Sequence, residues 1–173
     1  MKSVEGTSLN GNNKTVLIVI CCLLAAVAIL ITAIAAVSAE KPLPEGYDPA
    51  GRAGMLFSEK YEGDKNDKTV LSYRINPVIE FSSFDAKGAV MIENPTKNSV
   101  DMTVQIVYPS NGGEYLLYST GLLPPSSHIS YDRLDVELAA GEYPCYAVIT
   151  GFDPDTGAEL GHINCDLTVI IHS

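Results

Sequence analysis

The sequence predicts an all-β fold, a seven-stranded antiparallel β-sandwich preceded by one transmembrane α-helix. The helix is predicted from an uncharged, apolar run between Lys14 and Glu40. The sandwich is predicted from the chain after Thr69, where apolar residues recur at every second position in short segments. Gly, Pro, Asn and Asp punctuate those segments about every ten residues, and no helical period interrupts them. A closed β-barrel is the alternative architecture.

Residues 1–14 are predicted to be a cytoplasmic tail, and residues 15–39 to be the transmembrane helix. A bilayer core needs about 20 apolar residues in a helix, and this run lacks the polar face that a helix of a soluble domain would show. Lys2 and Lys14 precede the span, which favours a cytoplasmic N-terminus and a single-pass protein of the cell membrane with its C-terminal domain outside. The alternative is a secretory signal cleaved after Ala39, where the residues are small.

Residues 40–68 are predicted to be a flexible juxtamembrane stalk, because they are rich in Pro, Gly and charge and show little periodicity. The sandwich domain is then residues 69–173. Its clearest strand is 100–108, in which every even-numbered residue is apolar. The seven predicted strands are 69–81, 88–94, 100–108, 114–120, 127–138, 143–152 and 162–171.

The excess of acidic residues and the motifs that the sequence lacks exclude several classes of function. The chain has 21 acidic and 11 basic residues, and only Glu5 among the acids precedes Glu40. An exported domain this acidic repels phosphate backbones, so nucleic-acid binding is not expected. The sequence has no phosphate-binding glycine loop and no GxSxG nucleophile elbow. We therefore expect no enzymatic activity and no cofactor.

Cys145 and Cys165 lie in the last two predicted strands. A hairpin centred on Asp155 would place them opposite each other on the inward face, which in an exported protein predicts a disulfide bond. Two buried free thiols are the alternative. A redox or metal role is not favoured, because the chain contains no CxxC motif.

The loop between these strands contains Asp153, Asp155 and Glu159, which resemble the opening of a calcium-binding loop. A full EF-hand loop is longer and flanked by helices, so an ordinary turn is the main interpretation and weak calcium binding the secondary one. His162 is three residues from Cys165, which on a strand places the two side chains on opposite faces. His128 is predicted to lie in a loop.

Tyr143 precedes Cys145 by two residues at the start of the penultimate strand, in the run LAAGEYPC (138–145). This spacing resembles the tyrosine corner of immunoglobulin-like sandwiches. The resemblance implies an immunoglobulin-like or fibronectin-like topology. It does not extend to an antibody-type domain, because the chain has no tryptophan and no cysteine in the second strand.

The chain from about residue 70 onward also resembles a group of uncharacterised, membrane-anchored proteins of Gram-positive bacteria. The resemblance is carried by INP (75–77), IEN (92–94), TGLLPPSSHIS (120–130), LAAGEYPC (138–145) and DPDTGAELG (153–161). It implies one N-terminal span, a stalk and a small β-sandwich. These motifs belong to turns and strands, so the resemblance implies no catalytic residue.

The predicted function is that of a non-enzymatic, surface-displayed interaction module. Its partner would be an envelope protein or a surface ligand, and the membrane contact would be made by its own transmembrane helix. The alternative is an extracytoplasmic domain that binds a solute or calcium.

Overall fold

A computed structural model describes residues 19–20, 23–25, 27, 40–57 and 67–172. The chain divides into two compact units, Met1–Ala39 and Glu40–Ser173. The described residues of the first unit are helical, and the rest of the predicted transmembrane span, residues 15–39, lies outside the described residues. Among the residues described, no helix is both long enough and apolar enough to cross a membrane.

The second unit is built from β-strands, as the sequence predicts. Its described part contains nine strands, which are β1 Lys41–Pro42, β2 Arg52–Ala53, β3 Val78–Phe81, β4 Ile92–Asn94, β5 Asp101–Ser110, β6 Gly113–Ser119, β7 Ser127–Ile129, β8 Gly141–Phe152 and β9 Glu159–Ile171. Each of the seven predicted strand segments overlaps one of them, β3 to β9, and the all-β prediction is confirmed.

The strands form two sheets. The smaller sheet has the order β1-β2-β7-β4, and the larger has the order β3-β9-β8-β5-β6. All neighbours are antiparallel except β3 and β9, which run parallel. In the larger sheet, β3 and β6 are therefore the two edge strands.

The two sheets share one hydrophobic core. Alternation along the strands produces it, because successive side chains of a strand point to opposite faces. In β8 the buried residues are the odd-numbered ones from Cys145 to Gly151, and in β5 Met102, Val104 and Ile106 are buried. Buried residues of β4 and β7, Ile92 and Ile129, close the core from the smaller sheet. This packing is consistent with a β-sandwich.

The prediction of a flexible stalk over residues 40–68 is wrong for residues 40–57. β2 pairs with β1 and with β7, so this segment extends the smaller sheet. Asp48 is buried, and its carboxylate accepts a hydrogen bond from the backbone N–H of Gly121. Two-residue strands are too short to show a period-two pattern, so their pairing leaves no signal in the sequence. Residues 58–66 lie outside the described residues.

The predicted register of the last hairpin is wrong by two residues. Cys145 lies opposite Leu167, and Cys165 lies opposite Ala147. The turn itself accounts for one residue of this shift, because Phe152 pairs with Glu159. The second residue is Leu160, which has no partner on β8, so that Gly151 pairs with Gly161. Gly161 has φ +144°, a left-handed conformation suited to glycine at a bulge. A shift of two preserves the alternation, so the predicted inward faces of both strands are correct.

Candidate functional site

The acidic turn between β8 and β9 is held by a lysine. The ammonium Nζ of Lys68 lies 3.0 Å from Oδ2 of Asp153 and 2.8 Å from Oδ2 of Asp155. Asp153 Oδ1 also accepts a hydrogen bond from the backbone N–H of Asp155 at 2.8 Å. Glu159 is directed elsewhere, with its Oε1 3.8 Å from Nδ1 of His162. An ammonium thus sits between the two carboxylates that calcium binding would require, which favours the interpretation as an ordinary turn.

This ion pair leads to a prediction about pH. The hydrogen bond from Lys68, followed by backbone N–H groups, holds the pKa of Asp153 below its ordinary value. A carboxyl whose pKa is lower in the folded chain stabilises the fold above about pH 4, and that contribution is lost as the pH falls through the folded-state pKa. We expect Lys68→Met to raise the pKa of Asp153, as measured by carboxyl ¹³C NMR titration.

The matched control is Lys87→Met, since Lys87 is an exposed lysine of the same domain, whereas Lys68 is half-buried. It should leave the pKa of Asp153 unchanged. Equal titration curves for Asp153 in the native chain and the Lys68→Met variant would show that the ammonium does not set this pKa.

The two cysteines are free thiols in this structure. Diagonal neighbours on adjacent strands are about 7–8 Å apart at Cα, beyond the usual reach of a disulfide. Cys145 and Cys165 occupy such diagonal positions, because each lies opposite the residue two places from the other. Burial raises the pKa of the Cys145 thiol to about 11. A thiol with that pKa is protonated at neutral pH and is a weak nucleophile, so Cys145 acts here as a small core residue.

Tyr143 lies at the start of β8, as predicted. Its hydroxyl donates a hydrogen bond to the carbonyl oxygen of Ala139 at 2.8 Å, four residues upstream. This is the hydrogen bond that a tyrosine corner makes. The ring of Tyr143 also contacts Tyr108 edge-to-face, with 5.3 Å between the ring centroids.

The histidines differ in their surroundings. His162 and His172 are exposed, but His128 lies on β7 rather than in a loop and is only 3% exposed. Its Nδ1 lies 2.9 Å from the carbonyl oxygen of Gly54. Its buried Nε2 lies 3.5 Å from Oε1 of Glu40 and has no hydrogen-bond partner among the described residues. Over the described ranges, no three His, Cys, Asp or Glu side chains converge as a metal-binding group.

The structure adds an apolar groove that the sequence does not predict. It runs beside the free edge strand β6 and has a volume of about 480 Å³. Tyr115, Leu116 and Val136 line it and are 53%, 45% and 38% exposed. Its polar rim includes Glu114 and Glu137, and none of its described lining residues is a lysine or arginine. We call these lining residues, Tyr108, Ser110, Glu114–Leu117, Val136–Leu138 and Tyr143, the β6 groove.

A second cleft lies at the other end of the larger sheet and has a volume of about 500 Å³. Asp101 lines it and is only 6% exposed. Its walls include Tyr47 and Phe152. We call this the Asp101 cleft. In the sequence Asp101 is one of the polar residues alternating with the apolar residues of β5, so nothing there distinguishes it from a solvated surface residue.

Comparisons of the chain with protein-family models, with curated proteins and with solved structures find no significant match.

Proposed function

We propose that this protein is a non-enzymatic interaction module displayed outside the cell, which binds a partner protein of the cell envelope through the β6 groove. The single observation that carries this proposal is the exposed apolar surface beside a free sheet edge. A free edge strand has main-chain hydrogen-bonding groups available to an added strand, and apolar pockets beside it provide specificity.

The cell-surface location is part of the same proposal. It is supported by the apolar run of residues 15–39 and by the positions of Lys2 and Lys14 before it. The group of Gram-positive membrane-anchored proteins that the sequence resembles has the same layout.

The strand order supports an immunoglobulin-like topology within this proposal. The order β6-β5-β8-β9 is that of strands C′-C-F-G, and the pair β4-β7 corresponds to strands B and E. β3 lies parallel to the last strand at the opposite edge. The hydrogen bond from Tyr143 to Ala139 stands at the corner before strand F, as in that family of sandwiches.

The edge of β6 is blocked in one half and open in the other. Asp135 accepts a hydrogen bond from the backbone N–H of Ser119 at 2.7 Å, and its own N–H donates to the carbonyl oxygen of Leu117 at 2.9 Å. The half nearer the hairpin, Gly113–Leu116, has no further strand beside it in the described part of the chain. A docking segment would therefore be short and would lie beside Tyr115 and Leu116.

Charge defines the partner. With Glu114 and Glu137 on the rim, a second copy of this acidic chain would bring like charges together. A segment with basic residues flanking apolar ones complements the groove in both charge and polarity. The occupant we propose is such an extended, basic and apolar segment of another protein.

The test is site-specific photo-crosslinking of the full chain in its native membrane. A benzoylphenylalanine at Tyr115 should give one discrete adduct, whereas the same probe at Leu160, which is 45% exposed but outside the groove, should give none. Leu116→Glu should reduce the adduct about tenfold or more, because central apolar contacts dominate interface energies. Identical adducts from both probe positions, or none from Tyr115, would contradict the proposal.

A further inference from the structure

We propose that the Asp101 cleft is a binding site for a cationic nitrogen, a primary ammonium or a guanidinium group. Asp101 begins β5, faces away from the core, and forms a cross-strand pair with Phe152 on β8. Tyr47, from the turn after β1, lines the same cleft. The volume of about 500 Å³ is in the usual range for a small-ligand site. This inference goes beyond the proposed function, since it concerns a different surface.

The carboxylate of Asp101 is unusual among the buried acids of the domain. The buried side chains of Asp48 and Glu93 are each bound by backbone N–H groups. The side chain of Asp101 makes no hydrogen bond and no ion pair with the described residues, although the residue is only 6% exposed. Its oxygens are not among the fully buried atoms that lack a partner, so they open into the cleft, where a ligand can reach them. Carboxylates this far inside a protein are nearly always hydrogen-bonded, and a ligand in the cleft would supply the bond that the described residues do not.

No described basic side chain compensates this carboxylate. Lys68 contacts the turn that borders the cleft, and its ammonium is bonded to Asp153 and Asp155. None of the described lining residues of the Asp101 cleft is a lysine or arginine. Burial raises the pKa of Asp101, which means that the ionised carboxylate destabilises the ligand-free fold and that a bound cation would relieve this cost.

The residues that line the Asp101 cleft favour an organic cation over a calcium ion. A calcium ion needs six to eight oxygen ligands, whereas this cleft has Asp101 and an Asp153 already bonded to Lys68. An organic cation needs less: one carboxylate for its N–H donors and aromatic faces for its charge. Tyr47 and Phe152 are the aromatic residues of the cleft. The ligand would be either a free small amine or guanidine, or a basic side chain of a peptide.

The test uses the full chain in non-ionic detergent and ligand-observed NMR titrations. The probes are n-butylammonium, n-butylguanidinium and the neutral n-butanol. We expect both cations to bind and n-butanol not to bind. Asp101→Asn should weaken cation binding about tenfold or more, which is the loss expected for a charge-assisted hydrogen bond.

The matched control is Asp166→Asn. Asp166 is an exposed carboxylate on the outer face of the same sheet, opposite Tyr146. The Asp166→Asn variant should change cation affinity less than twofold.

A further probe, the peptide acetyl-Gly-Arg-Gly-amide, distinguishes a basic side chain of a peptide from a free small molecule as the ligand. Binding at least tenfold tighter than n-butylguanidinium indicates a peptide ligand, and equal binding indicates a small molecule.

A stability readout separates ligand binding from a structural role. Asp101→Asn removes an uncompensated buried charge, so the melting temperature of the ligand-free chain should rise or stay the same. A fall in melting temperature would show that the carboxylate supports the fold. That result would overturn the proposal, as would equal binding of n-butanol, or cation affinity that is the same in the native chain and in Asp101→Asn.

Discussion

Replacing Glu93 by alanine is expected to destabilise the domain by about 3 kcal/mol, which is the range for removing one partner of a buried ion pair. Glu93 is fully buried at the centre of β4. Its Oε1 accepts a hydrogen bond from the guanidinium of Arg74 at 3.1 Å, and its Oε2 accepts from the backbone N–H groups of Leu56 at 2.8 Å and Phe57 at 3.3 Å. Alanine would remove all of these charge-assisted bonds and leave a cavity.

The carboxylate of Glu93 joins three segments that are distant in sequence. It holds residues 54–57 over the outer face of the smaller sheet, and the guanidinium of Arg74 lies 5.2 Å from the centroid of the Phe57 ring. Arg74 and Glu93 also pair through their backbones. Phe57 is already 48% exposed, but its backbone is held by Glu93. We therefore expect Glu93→Ala to release this backbone and speed chymotrypsin cleavage at Phe57, in addition to lowering the melting temperature.

The measurement is thermal unfolding of the full chain, followed by the near-ultraviolet circular dichroism of its tyrosines. A loss of about 3 kcal/mol corresponds to a fall of roughly 10 °C for a domain of this size. Glu80→Ala is the control, because Glu80 is an exposed glutamate on β3 whose carboxylate pairs with the exposed His172. It should cost less than about 0.5 kcal/mol. Similar melting temperatures for the two variants would refute the role of Glu93.

The strands of the larger sheet could be predicted from the sequence, because alternation is a local signal. β5 shows it directly, with Met102, Val104 and Ile106 buried. The face of each cysteine could be predicted for the same reason. Their register could not, because the bulge beside Gly161 moves the pairing by one residue without changing the apolar pattern.

The smaller sheet and both clefts depend on contacts between distant parts of the chain. Arg52 pairs with His128 on β7, and this pairing converts a Pro- and Gly-rich segment into part of a sheet and buries a histidine. Tyr47 reaches the Asp101 cleft from the same segment. Local composition predicts such a segment to be irregular, and it carries no information about the short strands that the segment contributes or the surface that it covers.

The second large effect is expected at Asn98, in the turn between β4 and β5. Asn98 is fully buried. Its amide nitrogen donates to the carbonyl oxygen of Ser72 and, at 2.7 Å, to Oδ1 of Asn94, and its Oδ1 accepts from the N–H of Ser72 at 3.0 Å. Asn94 in turn donates to the carbonyl oxygens of Val100 and Leu123 at 2.9 and 2.7 Å. The two amides thus connect the segment before β3, the turn and the loop before β7.

Asn98→Ala should cost about 3 kcal/mol, since each lost hydrogen bond contributes about 1 kcal/mol and buried groups lose their partners. Asn98→Asp keeps the shape but replaces the donor by an oxygen that faces two acceptors. Burial should raise the pKa of the introduced carboxyl. A raised pKa in the folded chain means that stability falls as the pH rises above about 4, so this variant should be most stable in acid.

Thermal unfolding at pH 4 and pH 7 checks both variants against the native chain, with Asn164→Asp as the control at an exposed asparagine of β9. We expect the deficit of Asn98→Asp to be larger at pH 7 than at pH 4, and that of Asn98→Ala to be independent of pH in this range. The control should differ from the native chain by less than about 0.5 kcal/mol at either pH. A deficit of Asn98→Asp that is the same at both pH values would mean that the amide donor does not face the two oxygens, because only a buried carboxyl couples folding to protonation in this way.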